Sequence, residues 1–257
     1  MTHDLLALAE ATARAAGAQL REAFARGDHE VSAKSTPTDL VSEADRAAER
    51  LIRERLLDAR PGDAILGEEG GDAGGTSGLR WVVDPLDGTV NFLFGIPQWG
   101  VSIAAEDERG TLAGVVYDPM RDELWSAERD GPARLDGAEV HASTQSDLAQ
   151  ALVATGFGYS AEARAAQGAI VARLLPHVRD IRRIGSAALD LAWAAGGRYD
   201  AFYERGLNAW DLAAGALLCE RAGLTVLDLP PDGESGDGIL VAAPALAEPL
   251  RAIVAGD

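Results

Sequence analysis

Trp81-Val82-Val83-Asp84-Pro85-Leu86-Asp87-Gly88-Thr89-Val90-Asn91-Phe92 is the stretch around which the rest of the chain organises. An apolar run stops at a carboxylate, turns at a proline, offers a second carboxylate and then opens a Gly-Thr pair of backbone amides. The run reads as a buried strand. The two acids can hold a hard cation through oxygen. The Gly88 and Thr89 amides beside them can hold a phosphate. One loop thus carries both halves of a metal-assisted phosphate site.

Upstream, Leu5, Leu8, Ala9, Ala16, Leu20 and Phe24 keep helical spacing, and Gly27-Asp28 ends that helix. Val31 to Pro37 reads as extended. The spacing of Leu40, Val41, Ala44, Ala48, Leu51, Ile52 and Leu56 predicts a second helix, with Ser42-x-x-Asp45 as a capping box and Pro61-Gly62 as its stop. Ala64-Ile65-Leu66 predicts a short strand running into Gly67-Glu68-Glu69-Gly70-Gly71. Asp72 to Gly78 reads as a Gly-rich surface loop, the most mobile segment expected.

Downstream, Arg80 to Asp84, Gly100 to Glu106, Leu112 to Asp118 and Glu123 to Ala127 predict strands of an antiparallel meander that carries the two opening helices. From about Leu148 the pattern alternates. Strands are expected at Leu152 to Ala154, Asp180 to Ile184, Ala201 to Glu204, Leu224 to Leu227 and Ile239 to Ala242. Helices are expected at Ala161 to Leu175, Ser186 to Ala195, Ala209 to Ala222 and Pro244 to Val254. Such alternation argues for an α/β second lobe. The expected division is an N-terminal α+β lobe over 1–145 and a C-terminal α/β lobe over 146–257, tightly packed as one functional unit.

Composition narrows the function classes. A formal net charge of -18 opposes a nucleic-acid surface and repels a free anionic substrate at long range. Arg and Lys are scattered, so a metal is the better receptor for a phosphate, and nothing basic marks a pocket for a second one. Cys219 is the only cysteine. It excludes an internal disulfide, fits a reducing cytoplasm and falls in an apolar helical run as a core residue. Met1 to Glu10 carries acids and lacks the pattern of a signal peptide. No uncharged apolar run reaches the ~20 residues of a membrane helix. These features predict a soluble, cytoplasmic protein with no membrane or nucleic-acid partner.

The candidate ligands are Asp39, Glu68, Glu69, Asp84, Asp87 and Asp211. Each has a structural explanation. Asp39 can start a helix, Asp45 fits a capping box, Glu68-Glu69 a solvated pair, Asp87-Gly88 a turn and Asp211 the first turn of a helix. Taken together, Glu68, Asp84, Asp87 and Asp211 each follow a strand or begin a helix, where ligands gather in α/β proteins. Converging carboxylates repel unless a divalent cation sits among them, and all-oxygen donors select Mg2+, Mn2+ or Ca2+ over zinc. His3, His29, His141 and His177 are isolated, which disfavours a zinc site and a Ser-His-Asp triad. Gly185-Ser186-Ala187 precedes an apolar helical run, where Ser186 reads either as an N-cap or as part of the site. No Walker loop or dinucleotide fingerprint is present.

On these residues the chain resembles the inositol monophosphatase family of Mg2+-dependent, lithium-sensitive phosphatases. The resemblance rests on Glu68 in Gly67-Glu68-Glu69, on Asp84-Pro85-Leu86-Asp87-Gly88-Thr89-Val90-Asn91-Phe92 and on Trp210-Asp211-Leu212-Ala213-Ala214-Gly215. It extends through Lys34-Ser35-x-x-x-Asp39-Leu40-Val41-x-x-x-Asp45 and Gly185-Ser186-Ala187-Ala188. It implies a layered αβαβα sandwich with an antiparallel-sheet lobe and an α/β lobe. It also implies a homodimer and two or three Mg2+ per site, with Mn2+ as a substitute.

The resemblance further implies that Glu68, Asp84 and the Leu86 carbonyl bind a first metal and that Asp84, Asp87 and Asp211 bind a second. Glu68 would also touch a third. Thr89, bonded to Asp45, would help Glu68 orient and activate the attacking water. The Gly88 and Thr89 amides would hold phosphate oxygens, while Asp87, Ala187, Glu204 and Asp211 would meet substrate hydroxyls. The implied reaction is in-line hydrolysis of a small polyol or sugar phosphate, inositol 1-phosphate first. Histidinol phosphate, fructose 1,6-bisphosphate and 3'-phosphoadenosine 5'-phosphate are the enzymatic alternatives, and a partner role in a transcription complex is the non-enzymatic one. Asn208, Arg221-Ala222-Gly223-Leu224 and Gly70-Gly71 depart from the family pattern, and they leave the alcohol open.

Overall fold

The computed structural model describes residues 2–27, 31–33, 40–233 and 236–256. Helix α1 (Thr2–Arg26) buries Leu5, Leu6, Ala9, Ala13, Ala16 and Leu20 on one stripe. It lies close on the sheet, since a Cβ on Gly17 would stand 2.6 Å from the Tyr117 ring. Strands β1 (Val31–Ala33) and β2 (Leu40–Ser42) pair antiparallel, and α2 (Glu43–Ala59) follows.

Leu40 and Val41 were expected on the helix, and the structure corrects this. Their backbone groups pair with a segment upstream, which a count of apolar spacing cannot detect. Residues 34–37 of the expected extended segment, with Lys34, Ser35 and Asp39, lie outside the described residues.

The main sheet contains β3 (Ala64–Gly67), β4 (Gly71–Ala73), β5 (Arg80–Asp87), β6 (Gly100–Asp107) and β7 (Gly110–Asp118). It continues through β8 (Glu123–Glu128), β9 (Arg134–Leu135) and β10 (Ala138–Glu139). The order is β10-β9-β8-β7-β6-β5-β3-β4. Strand β4 occupies the start of the expected Gly-rich loop. All neighbours are antiparallel except β3 and β5, which run parallel with Gly67 beside Val83. That exception matters, because it brings the ends of both strands to the same edge. A short helix, α3 (Thr89–Leu93), follows β5.

The second sheet has the order β12-β11-β13-β15-β14. Its strands are β11 (Leu152–Thr155), β12 (Asp180–Arg182), β13 (Ala201–Arg205), β14 (Thr225–Leu229) and β15 (Gly238–Ala242). The first three in that order are parallel, and the last two pairings are antiparallel. Helices α4 (Ala161–Leu174), α5 (Ala187–Ala195), α6 (Ala209–Ala222) and α7 (Ala247–Ala255) alternate with them. The last helix begins three residues later than Pro244, because Pro244 to Leu246 form a turn.

Side chains of β5 and β6 alternate between two cores, as period-two strands must. Trp81, Val83, Val101 and Ile103 face α1 and α2, while Val82 and Ala104 face α5 and α6. Phe202, Ile239 and Val241 of the second sheet close the α5/α6 layer from the other side. Tyr203, Leu240 and Ala242 face the third core, with α4 and α7. The result is an αβαβα stack. Helices α5 and α6 fit between two sheets because they are rich in alanine and glycine. A Cβ on Gly114 would lie 2.9 Å from Cα of Ala214, and one on Gly215 would lie 2.6 Å from Cβ of Leu191.

Candidate metal and phosphate site

Strand β5 delivers Asp84 to the sheet edge with 2% of its surface exposed. The register to β6 shifts between Asp84 and Asp87. Pro85 lies within that bulge and has no amide to give the ladder. The break redirects the chain so that Asp84 and Asp87 face the same space. Asp84 Oδ1 accepts the Leu86 N–H at 3.0 Å, and the Leu86 carbonyl accepts the Thr89 hydroxyl at 3.0 Å. Gly88 has φ 96°, and a Cβ there would stand 3.0 Å from the Gln98 carbonyl. A side chain at this position would be strained by the backbone conformation and crowded by the Gln98 carbonyl.

Two helix starts complete the cluster. Asp87 Oδ2 accepts the Ser186 hydroxyl and the Ala188 amide, both at 2.6 Å, at the head of α5. Ser186 also caps α5 by accepting the Leu189 N–H at 3.3 Å, so one hydroxyl serves the helix and holds Asp87. Asp211 Oδ2 accepts the Asn208 N–H at 2.7 Å in the first turn of α6. The Ser102 hydroxyl donates to the Trp210 carbonyl at 3.2 Å and ties α6 to the strand beside Asp84.

Oxygens of Asp84, Asp87 and Asp211 thereby come within 4.8 Å of one another. Burial and the charges of Glu68, Asp87, Asp211 and Asp45 hold the Asp84 carboxyl well above the usual range. Burial raises Asp87 to about 6 despite its hydrogen bonds, and burial with the Asp87 charge raises Asp211 to about 7. Such a cluster of hard, anionic oxygens fits a divalent cation of the Mg2+ type. Among the described residues it contains no histidine or cysteine.

Glu68 follows β3, its N–H donating to the Val83 carbonyl at 3.2 Å, and its charge acts on Asp84, Asp87 and Asp211. Glu69 turns its amide to Glu49 instead. Asp45 is fully buried on α2, and its Oδ2 lies 3.4 Å from the Thr89 hydroxyl. Ala187 and Glu204 line the same cavity of about 660 Å³ as the acids. Burial and the Asp87 charge raise Glu204 to about 8. Cys219 is a buried core thiol, raised by burial, whose Sγ–H donates to the Leu191 carbonyl.

Several residues shape the site without a role expected from the sequence. Gly156 is one, because a Cβ there would strike the Glu204 carboxylate. Asn91 donates to the carbonyls of Gln98 and Ile184 at 2.7 and 2.8 Å and ties α3 to the loop before α5. The expectation that nothing basic marks the pocket is corrected by Arg164 and Arg183, which line it. Arg183 stacks over the Phe157 ring at 5.8 Å. These arginines are apart in sequence and come to one cavity only in the folded chain.

Comparison with known proteins gives the chain's family. A sequence model of the inositol monophosphatase family matches residues 1–255. The inositol-1-monophosphatase SuhB of Mycobacterium tuberculosis is 49% identical over 236 residues, covering 88% of this chain and 81% of that protein. The Escherichia coli protein named Nus factor SuhB is 42% identical over 228 residues, covering 88% and 85%. The crystal structure of the extragenic suppressor protein suhB from Bartonella henselae superposes with a TM-score of 0.91 at 36% identity, over 98% of both chains. A family match over residues 1–255, with a relative 49% identical over 88% of this chain, means that the chain belongs to the inositol monophosphatase family.

Proposed function

We propose that this protein is a Mg2+-dependent phosphomonoesterase that hydrolyses inositol 1-phosphate or a similar small polyol phosphate. The observation that carries this reading is the convergence of a buried Asp84 with half-buried Asp87 and Asp211 beside the Gly88-Thr89 amides. Glu68, Asp84 and the Leu86 carbonyl would hold one cation, Asp84, Asp87 and Asp211 would hold a second, and Glu68 would reach a third. When bound, the cations polarise the phosphoryl oxygens and lower the pKa of the attacking water.

The chain's own groups do the rest. Gly88 and Thr89 amides orient the phosphate, while Glu68 and Thr89 orient the water, with Asp45 behind the Thr89 hydroxyl. Asp87, Ala187, Glu204 and Asp211 meet the alcohol's hydroxyls. The cavity of about 660 Å³ lies within the usual range for small-ligand sites. At a net charge of -18 the cations also serve as the receptor for an anionic substrate.

The test is a panel of phosphate esters with purified protein and Mg2+. Inositol 1-phosphate should give the highest kcat/KM, and a large preference for histidinol phosphate would overturn this choice. Fructose 1,6-bisphosphate is the second reading, because Arg183 offers a cation in the same cavity and makes no salt bridge among the described residues. If that ester leads the panel, Arg183→Ala should raise its KM selectively. Mn2+ should substitute for Mg2+ in the same assay. The homodimer reading rests on the family resemblance and is checked by light scattering. A stoichiometric RNA polymerase complex without phosphatase activity would favour a transcription role, which the E. coli relative's name suggests for that protein.

A further inference from the structure

Helix α2 turns two acids, Asp45 and Glu49, into the protein interior at i and i+4, on the face that also buries Ala48 and Ile52. Asp45 lies against the Thr89 hydroxyl. Glu49 is 3% exposed and grips the turn between β3 and β4. Its Oε2 accepts the Glu69 N–H at 2.7 Å, and its Oε1 accepts the Gly70 N–H at 2.8 Å. Arg53 Nε donates to the same carboxylate at 2.7 Å, while its Nη2 donates to the Gly71 carbonyl at 2.6 Å.

The turn is shaped for this grip. A Cβ on Gly67 would strike the Glu49 carboxylate, and one on Gly70 would stand 2.5 Å from its Oε1 and 2.8 Å from Arg53 Nε. Glu68 sits between these contacts, with its own N–H bound to β5 on the other side.

We propose that Glu49 is a positioning residue that sets the cation affinity of the carboxylate cluster while touching neither cation nor substrate. Charge-assisted bonds to two successive amides remove the freedom that two glycines give the turn. They present the Glu68 side chain at one place. Arg53 neutralises Glu49, so the grip adds no net charge to an already crowded set of acids. Because Asp45 and Glu49 share one face of α2, the helix holds the Glu68 turn and Thr89 in fixed relation. This inference rests on the reading of Glu68 as a cation ligand.

The test titrates Mg2+ alone into metal-stripped protein by calorimetry and measures the Mg2+ concentration for half-maximal activity. Glu49→Gln keeps the shape of the side chain but only one acceptor oxygen. Gly70→Ala displaces the carboxylate from the turn side without altering α2. In both variants the Mg2+ midpoint should rise about tenfold or more, as loss of an outer support for a metal ligand typically does. Activity should recover in part at saturating Mg2+. An unchanged midpoint in both variants, even with a lowered Tm, would overturn the inference and leave Glu49 purely structural. Absence of Mg2+ binding by the unsubstituted protein would instead overturn the metal reading itself, and this inference with it.

Discussion

Replacing Asp84 by asparagine should make the metal-free protein more stable while removing its response to Mg2+. The oxygens of Asp84, Asp87 and Asp211 lie within 4.8 Å of one another. At that spacing, and with an effective dielectric constant of about 20, two ionised carboxylates repel by about 3–4 kcal/mol. Three such pairs would total about 10 kcal/mol, as much as a typical domain's net stability. Burial, helped by the Glu68 charge on Asp87 and the Asp87 charge on Asp211, raises Asp87 to about 6 and Asp211 to about 7, and the protons so held relieve part of this repulsion. At about pH 8 either the repulsion or the proton uptake is paid in stability.

Asparagine keeps the Oδ1 that accepts the Leu86 N–H and brings no charge. The metal-free variant should therefore gain about 3 kcal/mol at about pH 8, or about 6–12 °C in Tm for a chain of this size. Differential scanning calorimetry of metal-stripped proteins, with and without excess Mg2+, measures both effects. The variant should also release no phosphate from inositol 1-phosphate. A lowered metal-free Tm together with an undiminished Mg2+ shift would refute the reasoning.

Further outcomes follow from the same contacts. Asp87, Asp211 and Glu204 hold protons more tightly folded than unfolded, at about 6, 7 and 8. Their stabilising contribution is complete below about pH 4 and is lost as the pH rises through about 6–8. The Tm of the metal-free protein should fall across that window, and excess Mg2+ should flatten the fall; a Mg2+ shift independent of pH would contradict this. Thr89→Ala removes the hydroxyl that donates to the Leu86 carbonyl at 3.0 Å. It should lower kcat by about 100-fold or more and stability by only about 1 kcal/mol, measured by phosphate release and urea unfolding. Gly215→Ala would place a Cβ 2.6 Å from Leu191 Cβ. It should cost about 1–3 kcal/mol in urea unfolding, and a neutral result would show that α5 and α6 can separate freely.

Local chemistry is legible in the order of the residues. The stripe of Leu5, Ala9, Ala16 and Leu20 marks α1, and the apolar run Trp81, Val82 and Val83 marks a strand buried on both sides, because helix and strand periods are properties of neighbouring residues. The oxygen-only character of Glu68, Asp84, Asp87 and Asp211 already selects a hard cation over zinc. Leu40 and Val41 escape this logic, since their conformation depends on pairing with β1, a separate segment whose approach no local period records.

What only the tertiary structure decided is convergence. The parallel pairing of β3 with β5 sets Glu68 beside Asp84, and the starts of α5 and α6 carry hydrogen bonds and Asp211 to the same edge. Arg164 and Arg183 reach the cavity, Gly156 makes room for Glu204, and Glu49 holds the Glu68 turn from behind. None of these has a local pattern, because each is a distance between segments set by sheet order and helix packing. The sequence by itself determined which atoms could bind a cation; the fold decided that they would stand within 4.8 Å of one another, close enough to share one.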